Sequence, residues 1–79
     1  MNDVEKLVTL VGKLGIRTPE LIVEAMGEEK ILSPQHVDKY LKRYCIHALK
    51  RQIILDAWCN YLGKDHFEVE VDEVSDKSD

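Results

Sequence analysis

The sequence predicts a mainly helical domain: three helices followed by a C-terminal β-hairpin. Three observations lead there. Apolar residues recur at helical spacing in the first half of the chain. Two Thr/Ser-Pro pairs, Thr18-Pro19 and Ser33-Pro34, mark helix starts. Residues 66–72, HFEVEVD, alternate polar and apolar with the period of a strand.

The bulk properties fit one small body, with residues 1–72 as a single domain and 73–79 as an acidic flexible tail. A chain of 79 residues buries only about 60% of its unfolded surface, so its core is thin and dimerisation is an economical way to add buried area. No apolar run reaches the roughly 20 residues that span a bilayer. The N-terminus lacks a basic stretch followed by an apolar one, so a cytoplasmic protein is expected. Two cysteines are too few for a disulfide framework, and the expectation is two buried thiols in a reducing compartment. Net charge is −4, unevenly spread: residues 1–32 carry −2, residues 33–62 carry +3 and residues 63–79 carry −5. An acidic total argues against indiscriminate coating of nucleic acid but leaves room for one basic face.

Along the chain, residues 3–14 form an amphipathic helix with Val4, Leu7, Val8, Val11 and Leu14 on one face. Asn2 or Asp3 caps it, and Gly15 followed by Ile16 closes it. Thr18 then caps a short second helix that turns Leu21, Ile22, Ala25 and Met26 inward and ends at Gly27. Residues 28–32 connect it to the next start and insert Ile31 and Leu32 into the core.

From Pro34 there is no Pro or Gly until Gly63. At 100° per residue, Val37, Leu41, Tyr44 and Ala48 fall within about 60° of one another. His36, Lys39, Arg43, His47 and Lys50 occupy a separate arc of about 80°. Residues 34–50 therefore read as one helix with separate apolar and basic faces. Beyond them two readings compete. The apolar seam continues through Arg51, Leu55, Trp58 and Leu62, which gives an all-α alternative with one long helix, 34–62. That helix would be about 43 Å long, against a diameter of roughly 30 Å for a compact domain of this size. Ile53, Leu55, Ala57, Cys59 and Tyr61 also alternate as a strand would. A hairpin turning at Gly63-Lys64-Asp65 gives residues 66–72 a partner, and it is the preferred reading.

Residues 18–44, TPELIVEAMGEEKILSPQHVDKYLKRY, resemble a helix-turn-helix of the winged-helix type. They show a short first helix with an Ala-x-Gly end, a connection, and a second helix with a polar N-terminus. The resemblance implies a DNA-binding domain whose second helix enters the major groove and whose hairpin is the wing. The residue chemistry points the same way. The N-terminal positions of such a helix reach base edges, and here they are Ser33, Gln35, His36 and Lys39. Lys42, Arg43, Lys50 and Arg51 are placed to neutralise phosphates, and Lys64 at the wing tip can reach another. The expected function is a small DNA-binding protein, a transcriptional regulator acting on double-stranded DNA as a homodimer joined through Leu55, Trp58 and Leu62. The rival reading is a non-enzymatic helical protein–protein adaptor or dimerisation module that binds no nucleic acid. A charged stripe is also what the solvated face of any amphipathic helix looks like, and the acidic tail is a solubilising segment or a competitor for the basic helix.

Other chemistry is not expected. His36, Cys45, His47, Cys59 and His66 lack zinc-site spacing, and His36 and His47 would lie about 16 Å apart along one helix. There is no glycine-rich phosphate loop and no nucleophile beside a base, so neither an enzyme, a metal nor a cofactor is predicted.

Overall fold

A computed structural model describes residues 2–71. They form four α-helices and a short 3-10 helix: α1, Asp3–Lys13; α2, Pro19–Met26; the 3-10 helix, Glu28–Leu32; α3, Pro34–Arg43; and α4, Ala48–Leu62. There is no strand among the described residues. The expected hairpin wing is absent, and the all-helical alternative fits in class but not in detail.

Local chemistry sets the helix starts. Asn2 accepts from the Glu5 N–H at 2.8 Å while the Glu5 carboxylate accepts from the Asn2 N–H, a reciprocal cap. Ser33 caps α3 by accepting from the His36 N–H. Thr18 does not cap α2 as expected: it sits at φ 49, and its hydroxyl donates to the Arg17 carbonyl. Pro19 at the first helical position supplies the start instead.

The core gathers Leu7 and Val11 from α1, Ile22, Val23 and Met26 from α2, Ile31 from the 3-10 helix, Val37 and Leu41 from α3, and Ile54, Leu55 and Trp58 from α4. Each such side chain contributes roughly 1.5–3 kcal/mol by leaving water. α1 packs on α2 and α4, and α3 packs on α2 and α4, with the 3-10 helix against α1, α2 and α3. The Trp58 indole N–H donates to the Ile31 carbonyl at 2.6 Å, tying the 3-10 helix to α4. Of the expected plug residues, Ile31 is buried and Leu32 is exposed. Tyr44, read as a seam residue, is also exposed.

The basic helix expected over residues 34–50 stops at Arg43. Cys45 adopts φ 64, its N–H donates to the Lys42 carbonyl and the Ile46 N–H donates to the Leu41 carbonyl. This pair of bonds around a left-handed residue is the Schellman arrangement. A new helix begins at Ala48. The single 34–62 helix is thus two helices, and two short helices can pack on each other where one long rod could not.

Residues 53–61, the expected first strand, lie inside α4, and Gly63 is the left-handed residue that ends it rather than a hairpin turn. Residues 66–70 keep their alternation, with Val69 buried, Phe67 half-buried and Glu68 and Glu70 exposed, but Val71 is exposed as well. Their partner is not a strand but a side chain. The Gln52 amide donates to the Phe67 carbonyl at 2.9 Å and accepts from the Val69 N–H at 3.1 Å, as a neighbouring strand residue would. Asp72 and the expected acidic tail, 73–79, lie outside the described residues.

Candidate nucleic-acid interface

α3 has a sharply divided surface. Pro34, Val37 and Leu41 face the core, while Gln35, Lys39, Lys42 and Arg43 are exposed. At 100° per residue those four occupy an arc of about 100° opposite the core side. The one carboxylate of this helix, Asp38, is turned inward and only 8% exposed. Its Oδ1 accepts from the Arg51 Nε at 2.7 Å. The outward face is left with three cations and an amide.

Arg51 does more than neutralise Asp38. It is fully buried on the core side of α4. Its two terminal nitrogens donate to the Ile46 carbonyl at 2.7 Å and the Glu70 carbonyl at 2.6 Å. One guanidinium thereby joins α3, the break between α3 and α4, and the chain that follows α4. A buried arginine is tolerated when every charge-bearing edge is engaged in this way. Arg51 is therefore placed inside the domain, where it cannot reach a phosphate. The sequence did carry a signal: Arg51 is the single non-apolar member of the seam Val37, Leu41, Tyr44, Ala48, Arg51, Leu55, Trp58 and Leu62.

The other nominated residues divide. Ser33 is half-buried and occupied, accepting from the His36 N–H and donating to Gln35 Oε1 at 3.1 Å. His36 is half-buried and turned onto the Tyr40 ring, 4.7 Å between centroids, with a buried Nε2 that has no hydrogen-bond partner. Arg43 lies over the Tyr40 ring, 4.9 Å from its centre. Lys42 Nζ meets Glu70 at 3.0 Å in a solvent-exposed pair, an interaction worth little in water and readily exchanged. Lys50 is exposed on α4. Lys64 is no wing tip, but it shares an open cleft of about 450 Å³ with Gln35, lined also by Pro34, Asp65, His66 and Phe67. The structure brings together Gln35, Lys39, Lys42 and Arg43, with Lys64 beside Gln35.

The nominated dimer contacts are also relocated. Leu55 and Trp58 are fully buried in the monomer core, and Leu62 is half-buried against it. None of the three presents an outward seam. α4 instead exposes Leu49 and Ile53 on its opposite face.

Elsewhere the titratable groups serve the fold. Burial pushes the Cys59 thiol up, partly offset by a hydrogen bond from the Phe67 backbone. The Tyr61 hydroxyl donates to the Asp3 carboxylate at 3.1 Å, which raises the phenol by favouring its protonated form. Among the described residues no group of three or more His, Cys, Asp or Glu side chains is arranged to hold a metal ion, and no helix is long and apolar enough to cross a membrane. Comparison of the chain with protein-family models, with curated proteins and with solved structures gave no match.

Proposed function

We propose that this chain binds duplex DNA through the outward face of α3 and serves as a transcriptional regulator. The observation that supports the reading is the sign of that face: Asp38 is withdrawn against Arg51, so Gln35, Lys39, Lys42 and Arg43 stand together with no carboxylate of their own helix among them. Gln35, near the N-terminal end, has the donor and acceptor that adenine requires, and the three cations suit phosphates on either side. Lys64 lies beside Gln35 and suits a flanking phosphate. α2, the 3-10 connection and α3 supply the helix pair on which such a helix is presented. Glu70 releases Lys42 at little cost, since the pair is exposed.

Fluorescence anisotropy with a labelled duplex, followed across salt concentration, tests this. Four phosphate contacts give a slope of log affinity against log salt of about −3.6. Lys39→Ala with Arg43→Ala abolishes binding at moderate salt while leaving the helical circular dichroism unchanged. If the native chain shifts no duplex DNA at low salt, or the double variant binds as the native chain does, the reading is wrong. The exposed Leu49 and Ile53 favour a second reading, a protein–protein module, under which salt-dependent DNA binding is absent.

A further inference from the structure

The segment after α4 carries a carboxylate to the edge of the basic face. Its course follows α3: Phe67 shares a cleft with Gln35, and Glu70 reaches Lys42. Asp38 and Lys42 are four residues apart and so lie on the same side of that helix. Arg51 draws Asp38 inward and, with another nitrogen, holds the Glu70 carbonyl at 2.6 Å. One guanidinium thus removes a carboxylate from the face of α3 and fixes the main chain that delivers a different one. The Glu70 carboxylate accepts from Lys42 Nζ at 3.0 Å. Lys39 and Arg43, the other cations of the face, have no carboxylate partner among the described residues.

An exposed ion pair is worth little, in part because two long side chains must be ordered to form it. Here half of that ordering is done in advance. Val69 is buried, Gln52 holds the Phe67 carbonyl and the Val69 N–H, and Arg51 holds the carbonyl of Glu70 itself. The backbone beneath the carboxylate is therefore fixed. Glu68, the neighbouring acid of the same segment, is exposed and has no ion-pair partner among the described residues. Position, not acidity alone, singles out Glu70. We propose that Glu70 is a built-in competitor for the phosphate that Lys42 takes, an autoinhibitory contact that lowers the affinity of α3 for DNA. The inference rests on the DNA-binding reading of α3. A carboxylate oxygen and a phosphate oxygen accept from an ammonium group in the same way. Duplex must displace Glu70 from Lys42 and then tolerate that carboxylate beside its own backbone, and both steps oppose binding. The side chain swings away while the segment stays, because Gln52 and Arg51 grip its main chain and not the carboxylate.

Fluorescence anisotropy with a labelled duplex at low salt tests the inference on the full chain. Glu70→Gln keeps the main-chain contact to Arg51 and tightens binding by about fivefold, the scale of one exposed ion pair. Glu68→Gln removes the same charge from the same segment and changes affinity by less than about twofold. In a Lys42→Ala background, Glu70→Gln gains no more than Glu68→Gln does in the native chain. Unchanged hydrogen exchange at the Val69 amide in Glu70→Gln verifies that the segment is still in place. In the native chain, the carboxyl carbon shift of Glu70 moves, as duplex is added, towards its value in free Lys42→Ala. Equal affinity of the native chain and Glu70→Gln overturns the inference and leaves the DNA reading standing. So does an equal gain from both glutamine variants, or a Glu70 carbon that does not respond to duplex. An absence of binding by the native chain and every variant removes the DNA reading and the inference together.

Discussion

α3 and α4 end with the same hydrogen bonds. At the end of α4 the Gly63 N–H donates to the Asn60 carbonyl and the Lys64 N–H to the Cys59 carbonyl, around Gly63 at φ 72. At the end of α3 the Cys45 N–H donates to the Lys42 carbonyl and the Ile46 N–H to the Leu41 carbonyl, around Cys45 at φ 64. Glycine adopts that left-handed conformation freely, whereas a residue with a side chain loses roughly 1 kcal/mol in doing so. The α4 end can therefore form on local grounds, while the α3 end needs help from elsewhere. The help is visible: Arg51, in the next helix, holds the Ile46 carbonyl at 2.7 Å, and Ile46 packs against the core. A helix stop without glycine or proline is a tertiary stop.

The sharpest way to break this comparison is Arg51→Ala. It strands Asp38 in the interior and frees the Ile46 and Glu70 carbonyls, at a cost of about 3–5 kcal/mol. That is a large share of the stability of so small a domain. Urea unfolding measures it, and a loss below about 1 kcal/mol would show that the α3 stop holds by itself. Removing both charges together, Arg51→Met with Asp38→Leu, recovers most of the loss, because no charge is then left unpaired.

Gln52→Ala tests the chain beyond the α4 stop. It deletes the amide that stands in for a neighbouring strand, costing about 1–2 kcal/mol, and it accelerates hydrogen exchange at the Val69 amide. Unchanged exchange there would mean that Phe67 and Val69 are held by packing alone.

Two smaller substitutions compare the stops directly. Gly63→Ala costs about 1 kcal/mol. An added Cβ meets nothing within 4 Å, so the loss is conformational rather than steric. Cys45→Gly changes stability in the other direction, by roughly 0.5 kcal/mol, since the strain it relieves exceeds the added freedom of the unfolded chain. Thermal unfolding of both variants gives the signs. If Cys45→Gly is destabilising, the side chain contributes more by packing than its backbone conformation costs.

How much was legible follows from how far each determinant lies along the chain. The caps at Asn2 and Ser33 act within three residues, and the core faces of α1 and α3 follow from the spacing of Leu7, Val11, Val37 and Leu41; in α2 the expected Ile22 and Met26 are buried, but Val23 is buried with them while Leu21 and Ala25 are exposed. The outward face of α3 was legible for the same reason, since Gln35, Lys39, Lys42 and Arg43 are placed by helix geometry alone. Arg51 was misread as a surface cation because its partners, Asp38 and the Glu70 carbonyl, are thirteen and nineteen residues away. Leu55 and Trp58 were assigned to a dimer for a related cause: an apolar row records that something covers it, not whether the cover is the same chain or another.

The sequence by itself determined helical character, three helix starts and two glycine stops, at Gly15 and Gly27, because each depends on neighbours within about one turn. It also determined the alternation of residues 66–70, though not what would satisfy it. The tertiary structure alone decided where α3 ends, that Arg51 is internal, and that a glutamine side chain rather than a strand edge receives the C-terminal segment. An alternating stretch requires a partner for its backbone, and which partner it meets depends on which surface folding brings alongside. Here that surface was α4.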